Sequence, residues 1–250
     1  MSEHIRVQQR DSVVAITLAR PERRNAITVA MYAALADAIE AAAADASVRA
    51  ITIQGEGQDF AAGNDLADFL QAEARDDGEI PVWRLLRALA TCETPIIAAV
   101  HGNCVGIGTT MLLHCDLVVA DETAKFSLPF VDLGLVPEAA SSLLLPRLAG
   151  RRNAARYLLL SEPFGAQEAR DFGLVSHVAP AGGAAEELER VLKALLAKPP
   201  EALRRTQSLL RHGVREEILE RMRVEGAEFA ERLASDEVKE AIAAFFEKRK

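Results

Sequence analysis

The chain has 250 residues, half of them hydrophobic, and a formal net charge of -8. That length and apolar share suit one sizeable α/β core. The acidic balance excludes general binding to nucleic acid or to a membrane surface, because both need a basic face. An anionic ligand remains open, since it needs only a local cluster of Arg and Lys.

The first half alternates strand and helix signals. Val13 to Leu18 reads as a strand, and an alanine-rich amphipathic pattern from Thr28 to Ala44 reads as a helix with Thr28 at its N-cap. Ala50 to Gln54 is a second strand. Pro81 opens a helix to Thr91, since proline suits a first-turn position. Pro95 to Val100 is a continuous apolar run, the pattern of a strand buried on both faces. A glycine loop then leads into a short helix, and Asp116 to Ala120 gives another strand. Such alternation predicts an α/β core with crossover helices.

Beyond Pro137 the pattern turns helical. Helices are expected over Glu138–Leu148, Arg151–Leu160, Gln167–Phe172, Glu186–Ala197, Pro200–His212, Val214–Leu233 and from Glu237 to the end. Gly182-Gly183 is the strongest hinge signal. No run of about 18 apolar residues marks a transmembrane helix. MSEHIRVQQRD lacks the apolar stretch of a secretory signal, and the final residues are not a peroxisomal address, so the expected location is the cytoplasm. Cys92, Cys104 and Cys115 lie in apolar settings and read as reduced core residues.

Several catalytic signatures are absent: a Gly-x-Ser-x-Gly elbow, a P-loop, His-Glu-x-x-His and Cys-x-x-Cys. Gly106-Ile107-Gly108 follows a strand, but Met111 stands where a dinucleotide fingerprint needs its third glycine. The histidines show no metal-ligand spacing. His101 and His114 read as hydrogen-bonded core residues rather than catalysts.

Three stretches stand out. Asp59 to Leu66 and His101 to Thr110 are small-residue turns entering helices, where the first N–H groups have no internal partner. They read either as ordinary tight turns or as two donors of an oxyanion hole. The third runs from Phe126 to Phe130 and on through Gly134 to Ser142. Within it, Glu138 reads either as an acid favourable to a helix N-terminus or as a general base whose pKa its apolar neighbours raise. Asp132 reads either as a turn residue or as the acid that rivals Glu138, Asp65 and Asp68 as first-turn acids of the loop-one helix, and Ser141 and Ser142 as first-turn packing or hydrogen-bonding residues.

Taken together and in order, these stretches resemble the crotonase, or enoyl-CoA hydratase/isomerase, superfamily. Arg20-Pro21-Glu22-Arg23-Arg24-Asn25-Ala26, Ala61 to Leu66, Val100 to Gly108, Cys115 to Ala120 and the terminal Ala244 to Arg249 carry the resemblance. It implies a crotonase-like spiral of ββα repeats over residues 1–185 and a helical C-terminal trimerisation region over 186–250. It also implies acyl-coenzyme A thioester substrates, no separate cofactor and no metal, and a homotrimer or a hexamer built from two trimers. By motif position the oxyanion donors would be the backbone N–H groups of Asn64 and Ile107. Arg23, Arg24 and Ala26 fall in the CoA-contacting stretch, Ala62 and Leu66 would line the adenine pocket, and Phe245 and Lys248 would reach CoA on a neighbouring subunit.

Hydratases of this superfamily carry two water-holding glutamates. Here those positions are Thr110 and Phe130, and Phe130 would make that side of the pocket dry. The acid left in register is Glu138, in a run similar to the peroxisomal-type Δ3,Δ2-enoyl-CoA isomerases. The resemblance therefore implies an isomerase in which Glu138 moves a proton from C2 to C4, with hydration or another crotonase reaction as the alternative.

Overall fold

The apolar run expected at 95–100 forms the middle of the main sheet in the computed structural model, which describes residues 2–71 and 80–247. The N-terminal half is β1 (Ile5–Arg10), β2 (Val13–Leu18), α1 (Val29–Ala44), β3 (Ala50–Gly55), α2 (Leu66–Gln71), α3 (Pro81–Thr91), β4 (Ile96–Val100), β5 (Asn103–Val105), α4 (Ile107–Thr110), β6 (Leu117–Asp121) and β7 (Lys125–Ser127). There follow α5 (Ser141–Leu159), β8 (Phe164–Gly165), α6 (Ala166–Asp171), β9 (His177–Ala179), α7 (Ala184–Leu196), α8 (Pro200–Arg211), α9 (Arg215–Leu233) and α10 (Asp236–Glu247).

Two sheets organise these elements. The larger has the order β1-β2-β3-β4-β6-β9, parallel except for the antiparallel β1–β2 pair; the smaller has the order β5-β7-β8. Strand β4 is followed after a turn by β5, and β6 by β7, and β5 pairs parallel with β7. The segment after β3 repeats the move in miniature, with Ala61 bridging Cys104. Each unit thus sends one strand to the large sheet and the next short segment to the small one. This is the expected spiral.

Side chains of a strand alternate between faces, and β4 shows the consequence. Ile96, Ala98 and Val100 enter the main core, while Ile97 and Ala99 enter a second cluster with Ala50, Val119, Leu188, Val191 and Leu192. Leu188, Val191 and Leu192 of α7 have helical i, i+3, i+4 spacing, so α7 covers the outer face of the sheet. Each such buried aliphatic side chain contributes about 1.5–3 kcal/mol. Gly182-Gly183, expected as a hinge, is a turn tied back to β6: the Gly182 N–H donates to Asp121 Oδ2 at 2.9 Å.

The large elements fall close to their expected places, and the differences have local causes. Strand β1 lies at the sheet edge with only Ile5 buried, so it carries no alternating pattern. Strands β5, β7, β8 and β9 span two or three residues, too short for periodicity to register. The two helices expected over Glu138–Leu148 and Arg151–Leu160 are both present within α5, separated at non-helical Gly150 (φ 75°, ψ 152°). Helix α5 begins at Ser141, which leaves Glu138 in the turn before it. Among the described residues, no helix is long and apolar enough to cross a membrane.

Candidate active site

A cleft of about 1110 Å³ opens between the loops after β3 and β5, the segment from Pro129 to Leu135, and the C-terminal helices α9 and α10. Eight of the expected site residues line it: Arg23, Arg24, Ala26, Ala62, Asn64, Leu66, Ile107 and Phe130. Ala241, Ile242 and Ala244 of α10 line it too, so the terminal helix closes the cleft of its own chain. Phe245 belongs to α10, but its side chain, like all of Lys248, lies outside the described residues.

The loop carrying Asn64 is fixed by matched polar contacts. Arg20 pairs with Asp65 (Nη1 to Oδ2, 2.7 Å) and also donates to the Ala26 carbonyl at 3.0 Å. Asn25, fully buried, donates to the carbonyls of Glu56 and Asp59 at 2.9 and 2.8 Å and accepts from the Arg20 N–H. The Arg24 carbonyl accepts from the Ala62 N–H at 2.9 Å. The arginine-rich segment and the loop are therefore locked together by backbone while the side chains of Arg23 and Arg24 stay exposed at the cleft. Asp65 caps α2 as expected, accepting from the Asp68 N–H at 3.3 Å. Asp68 is the acid of the first turn of α2, as expected, and its carboxylate also accepts from Val29 N–H at 2.6 Å, so that it caps α1 beside Thr28, whose Oγ1 accepts from Met31 N–H.

Asn64 and Ile107, the two residues expected to supply backbone donors, both line the cleft. The Gly63 carbonyl accepts from Ile27 N–H, and the Asp65 N–H donates to Ile27 O. Because both neighbours point to Ile27, the Asn64 N–H points the opposite way. Ile107 is the first residue of α4, where an N–H lacks an intrahelical partner. The loops can approach because residue 63 is glycine: its φ is +88°, and an added Cβ would lie 3.1 Å from the Val105 carbonyl oxygen.

Glu138 is not on the cleft wall. It is 4 % exposed, in a turn where Ala139 and Ala140 both have left-handed backbone (φ 59° and 56°). Each such residue without a glycine's freedom costs roughly 1–2 kcal/mol. The turn is held by His114, whose Nε2 lies 2.8 Å from the Ala139 carbonyl, and by the Ser141 N–H donating to Glu138 O at 2.9 Å. A carbonyl only accepts, so the proton of His114 sits on Nε2. Burial pushes His114 down to about 4, which keeps the ring neutral. From α9, Glu225 accepts from the N–H groups of Ala140 and Ser142 at 2.6 and 2.9 Å.

Among the described residues, no hydrogen bond reaches Glu138 Oε1. Burial first, and the negative charge of Glu225 second, push the Glu138 carboxyl up to about 8. Tyr32 of α1 is also fully buried; burial and the charge of Glu138 hold its phenol well above the usual range, and its hydroxyl bonds to Asn64 Oδ1. Tyr32 therefore feels the charge of Glu138 and hydrogen-bonds Asn64, a residue of the cleft lining. Thr110 and Ser141 also bury hydroxyls with no partner among the described residues. Asp132, in contrast, is exposed at the cleft mouth.

Sequence reasoning placed His114 correctly as a hydrogen-bonded core residue, whereas His101 is only partly buried and reaches the Gly57 carbonyl at 3.0 Å. It missed Tyr32 and Glu225. Tyr32 sits in the apolar stripe of α1, where an aromatic is ordinary. Glu225 was visible as an acid among Met222, Gly226 and Phe229 on the buried side of α9.

The spiral of paired strands thus carries a cleft lined by Asn64 and Ile107, with the buried carboxyls of Glu138 and Glu225 at the turn before α5. The family model for enoyl-CoA hydratase/isomerase matches residues 8–250. The chain belongs to that family, the crotonase superfamily. The 2,3-dehydroadipyl-CoA hydratase of Escherichia coli is 34% identical over 252 residues, covering 100% of this chain and 97% of that protein. Enoyl-CoA delta isomerase 2 of Rattus norvegicus is 34% identical over 223 residues, covering 87% of this chain and 56% of that protein. The enoyl-CoA hydratase/isomerase structure from Pseudoalteromonas atlantica superposes with a TM-score of 0.93 at 42% identity, covering 99% and 98% of the two chains.

Proposed function

We propose that this enzyme moves the double bond of a 3-enoyl-CoA to give the 2-trans-enoyl-CoA, with Glu138 as the acid–base residue. The observation that carries the reading is the state of Glu138: a buried carboxylate, an oxygen without a partner, and a pKa pushed up to about 8. A buried carboxyl of this kind both takes and returns a proton near neutrality.

The thioester carbonyl would accept from the N–H groups of Asn64 and Ile107, which acidifies C2. The acyl chain would have to reach past the cleft lining to Glu138, which would then remove the C2 proton while the dienolate charge rests on those two donors. The same carboxylic acid then protonates C4, and the carbonyl re-forms with the double bond between C2 and C3. Hydration would need an activated water. The two positions at which related hydratases hold water are Thr110 and buried Phe130, neither of them an acid. The hydratases among the relatives make hydration the alternative, and the missing pair of acids weighs against it.

Arg23 and Arg24 would meet the CoA phosphates, with Ala26, Ala62 and Leu66 along the nucleotide and Phe130 on the acyl side. In a homotrimer, or a hexamer of two trimers, Phe245 and Lys248 would complete a neighbour's CoA site. CoA enters as part of the substrate, with no separate cofactor, and the expected compartment is the cytoplasm.

The test supplies 3-hexenoyl-CoA and crotonyl-CoA and identifies products by mass spectrometry in labelled water. Formation of 2-hexenoyl-CoA should outpace any 3-hydroxyacyl-CoA. Faster formation of the hydroxyacyl product would replace this reading with hydration.

A further inference from the structure

The buried face of α9 carries Met222, Glu225, Gly226 and Phe229, the i, i+3, i+4, i+7 stripe of a packed helix. A carboxylate is out of character in such a stripe, yet Glu225 is 6 % exposed. Both its oxygens are used. Oε2 accepts from Ala140 N–H at 2.6 Å and Oε1 from Ser142 N–H at 2.9 Å. Those donors belong to the Glu138 turn and the first turn of α5, so a distant helix supplies the cap that the chain nearby does not.

The turn has need of it. Ala139 and Ala140 are left-handed in succession, a conformation that persists only when neighbours impose it. The position of α9 is itself fixed: a Cβ on Gly226 would come within 2.3 Å of Trp83 Cη2 on α3. Arg221, one turn before Glu225, donates to Ser142 Oγ at 3.1 Å and so steadies the same first turn.

We infer that Glu225 is a positioning residue for Glu138: from α9 it clamps the left-handed turn that aims Glu138, and it stands as a buried negative charge behind that carboxylate. The inference rests on the acid–base role proposed for Glu138. It makes the C-terminal helical region part of the proton-transfer machinery and not only of the cleft wall.

The ionisable groups around the turn are Tyr32 from α1, His114 from the segment after α4, and Glu225 and Arg221 from α9, with Arg211 acting on His114 at longer range. His114 is neutral and Tyr32 protonated near neutral pH. Burial raises the Glu225 carboxyl above its ordinary value, while its two backbone N–H bonds and Arg221 oppose that rise; no donor among the described residues reaches Glu138 Oε1. Removing the charge of Glu225 should therefore make Glu138 easier to ionise.

The experiment compares the full-length protein with Glu225→Gln, Glu225→Asp and Glu138→Gln, using 3-hexenoyl-CoA across pH 5 to 10. For Glu225→Gln the acid limb of kcat/KM should move down by at least about half a pH unit. Its kcat on the plateau should fall at least about threefold while KM stays within about twofold, because one N–H of the turn loses its acceptor and the substrate contacts are untouched. Should Glu225→Gln fail to fold, Glu225→Asp carries the test: the charge stays but cannot span both N–H groups, and kcat should fall by a similar factor at constant KM. Wild-type kcat and an unmoved acid limb in a folded Glu225→Gln, or wild-type kcat in Glu225→Asp, overturn the inference while an inactive Glu138→Gln leaves the isomerase reading standing. An active Glu138→Gln overturns both.

Discussion

The loop after β3 and the turn before α5 treat their carboxylates in opposite ways. In the first, Asp65 meets Arg20 at 2.7 Å, Asp68 caps α1, and Asp59 accepts from Asn103 at 2.8 Å. Burial alone would push Asp65 up, but Arg20 and the nearby N–H groups hold it below the usual range. In the second, Glu138 has a free oxygen and a carboxylate neighbour, and its pKa rises. Matched acids make scaffold: their charges are neutralised and their geometry is fixed. A mismatched acid keeps an unfilled capacity to bind a proton, which is what acid–base catalysis requires.

The largest effect should come from removing the mismatched acid. Glu138→Gln should lower kcat on 3-hexenoyl-CoA by about 10²–10⁴-fold, toward the upper end because both proton transfers are lost. Binding of the product, measured by calorimetry, should change little. Asp132→Asn, at the exposed mouth, should cost less than about threefold in kcat. Reversal of these two results would transfer the proton shuttle to Asp132.

The matched acid should show its effect in stability instead. Asp65→Asn leaves Arg20 with only the exposed Glu22 carboxylate at 3.9 Å, where the Asp65 and Arg20 side chains are only 20% and 14% exposed. The expected loss is roughly 2–4 kcal/mol in urea unfolding, somewhat below the cost of breaking a fully buried pair. A loss below about 0.5 kcal/mol would place Asp65 with ordinary surface residues.

pH separates the two regions by sign. The native Glu138 titrates near 8, against a reference value of 4.5. Between those values the native protein holds a proton that the unfolded chain has released. The contribution of Glu138 to stability is thus undiminished below about 4.5 and is lost progressively as pH rises to about 8. Glu138→Gln removes that loss. Its unfolding free energy relative to wild type should improve with pH over this window, and a parallel pair of curves would contradict the seclusion of the carboxyl. Catalysis runs the other way, since the base must be ionised: kcat/KM of the wild type should climb to a plateau above about pH 8.

The smallest effect should be at the cleft mouth. Arg23→Ala and Arg24→Ala remove exposed charges, so KM should rise by about two- to fivefold each, and less at high salt. A change in kcat instead would mean that these arginines reach the reacting end of the substrate.

Much of the contrast between the two regions is legible in the amino-acid sequence. The small-residue loops, the arginine segment and Phe130 meet in one cleft as their motifs imply, because tight turns at strand ends bring such loops together. Thr28 caps α1 as its position before the alanine-rich pattern indicates. Glu138 is recognisable as an acid among apolar residues, but its place is not: a Pro-Glu before an apolar run looks like a helix start. Consecutive left-handed alanines have no local signal, since helices far along the chain impose them. Glu225 is unreadable as a partner for the same reason, lying 85 residues from Ala140. The polar edge strand β1 and the three-residue strands are set by pairing, which single-strand periodicity does not report.

The claim that one secluded carboxylate carries the proton is tested most directly by a single turnover of 3-hexenoyl-CoA in D₂O, with deuterium at C4 of the product measured by NMR. A carboxyl 4 % exposed, with an oxygen that has no partner, trades its proton with solvent slowly. Part of the protium taken from C2 should therefore reappear at C4. Complete deuteration of C4 on the first turnover would contradict this and point to an acid in free exchange with water, as exposed Asp132 is.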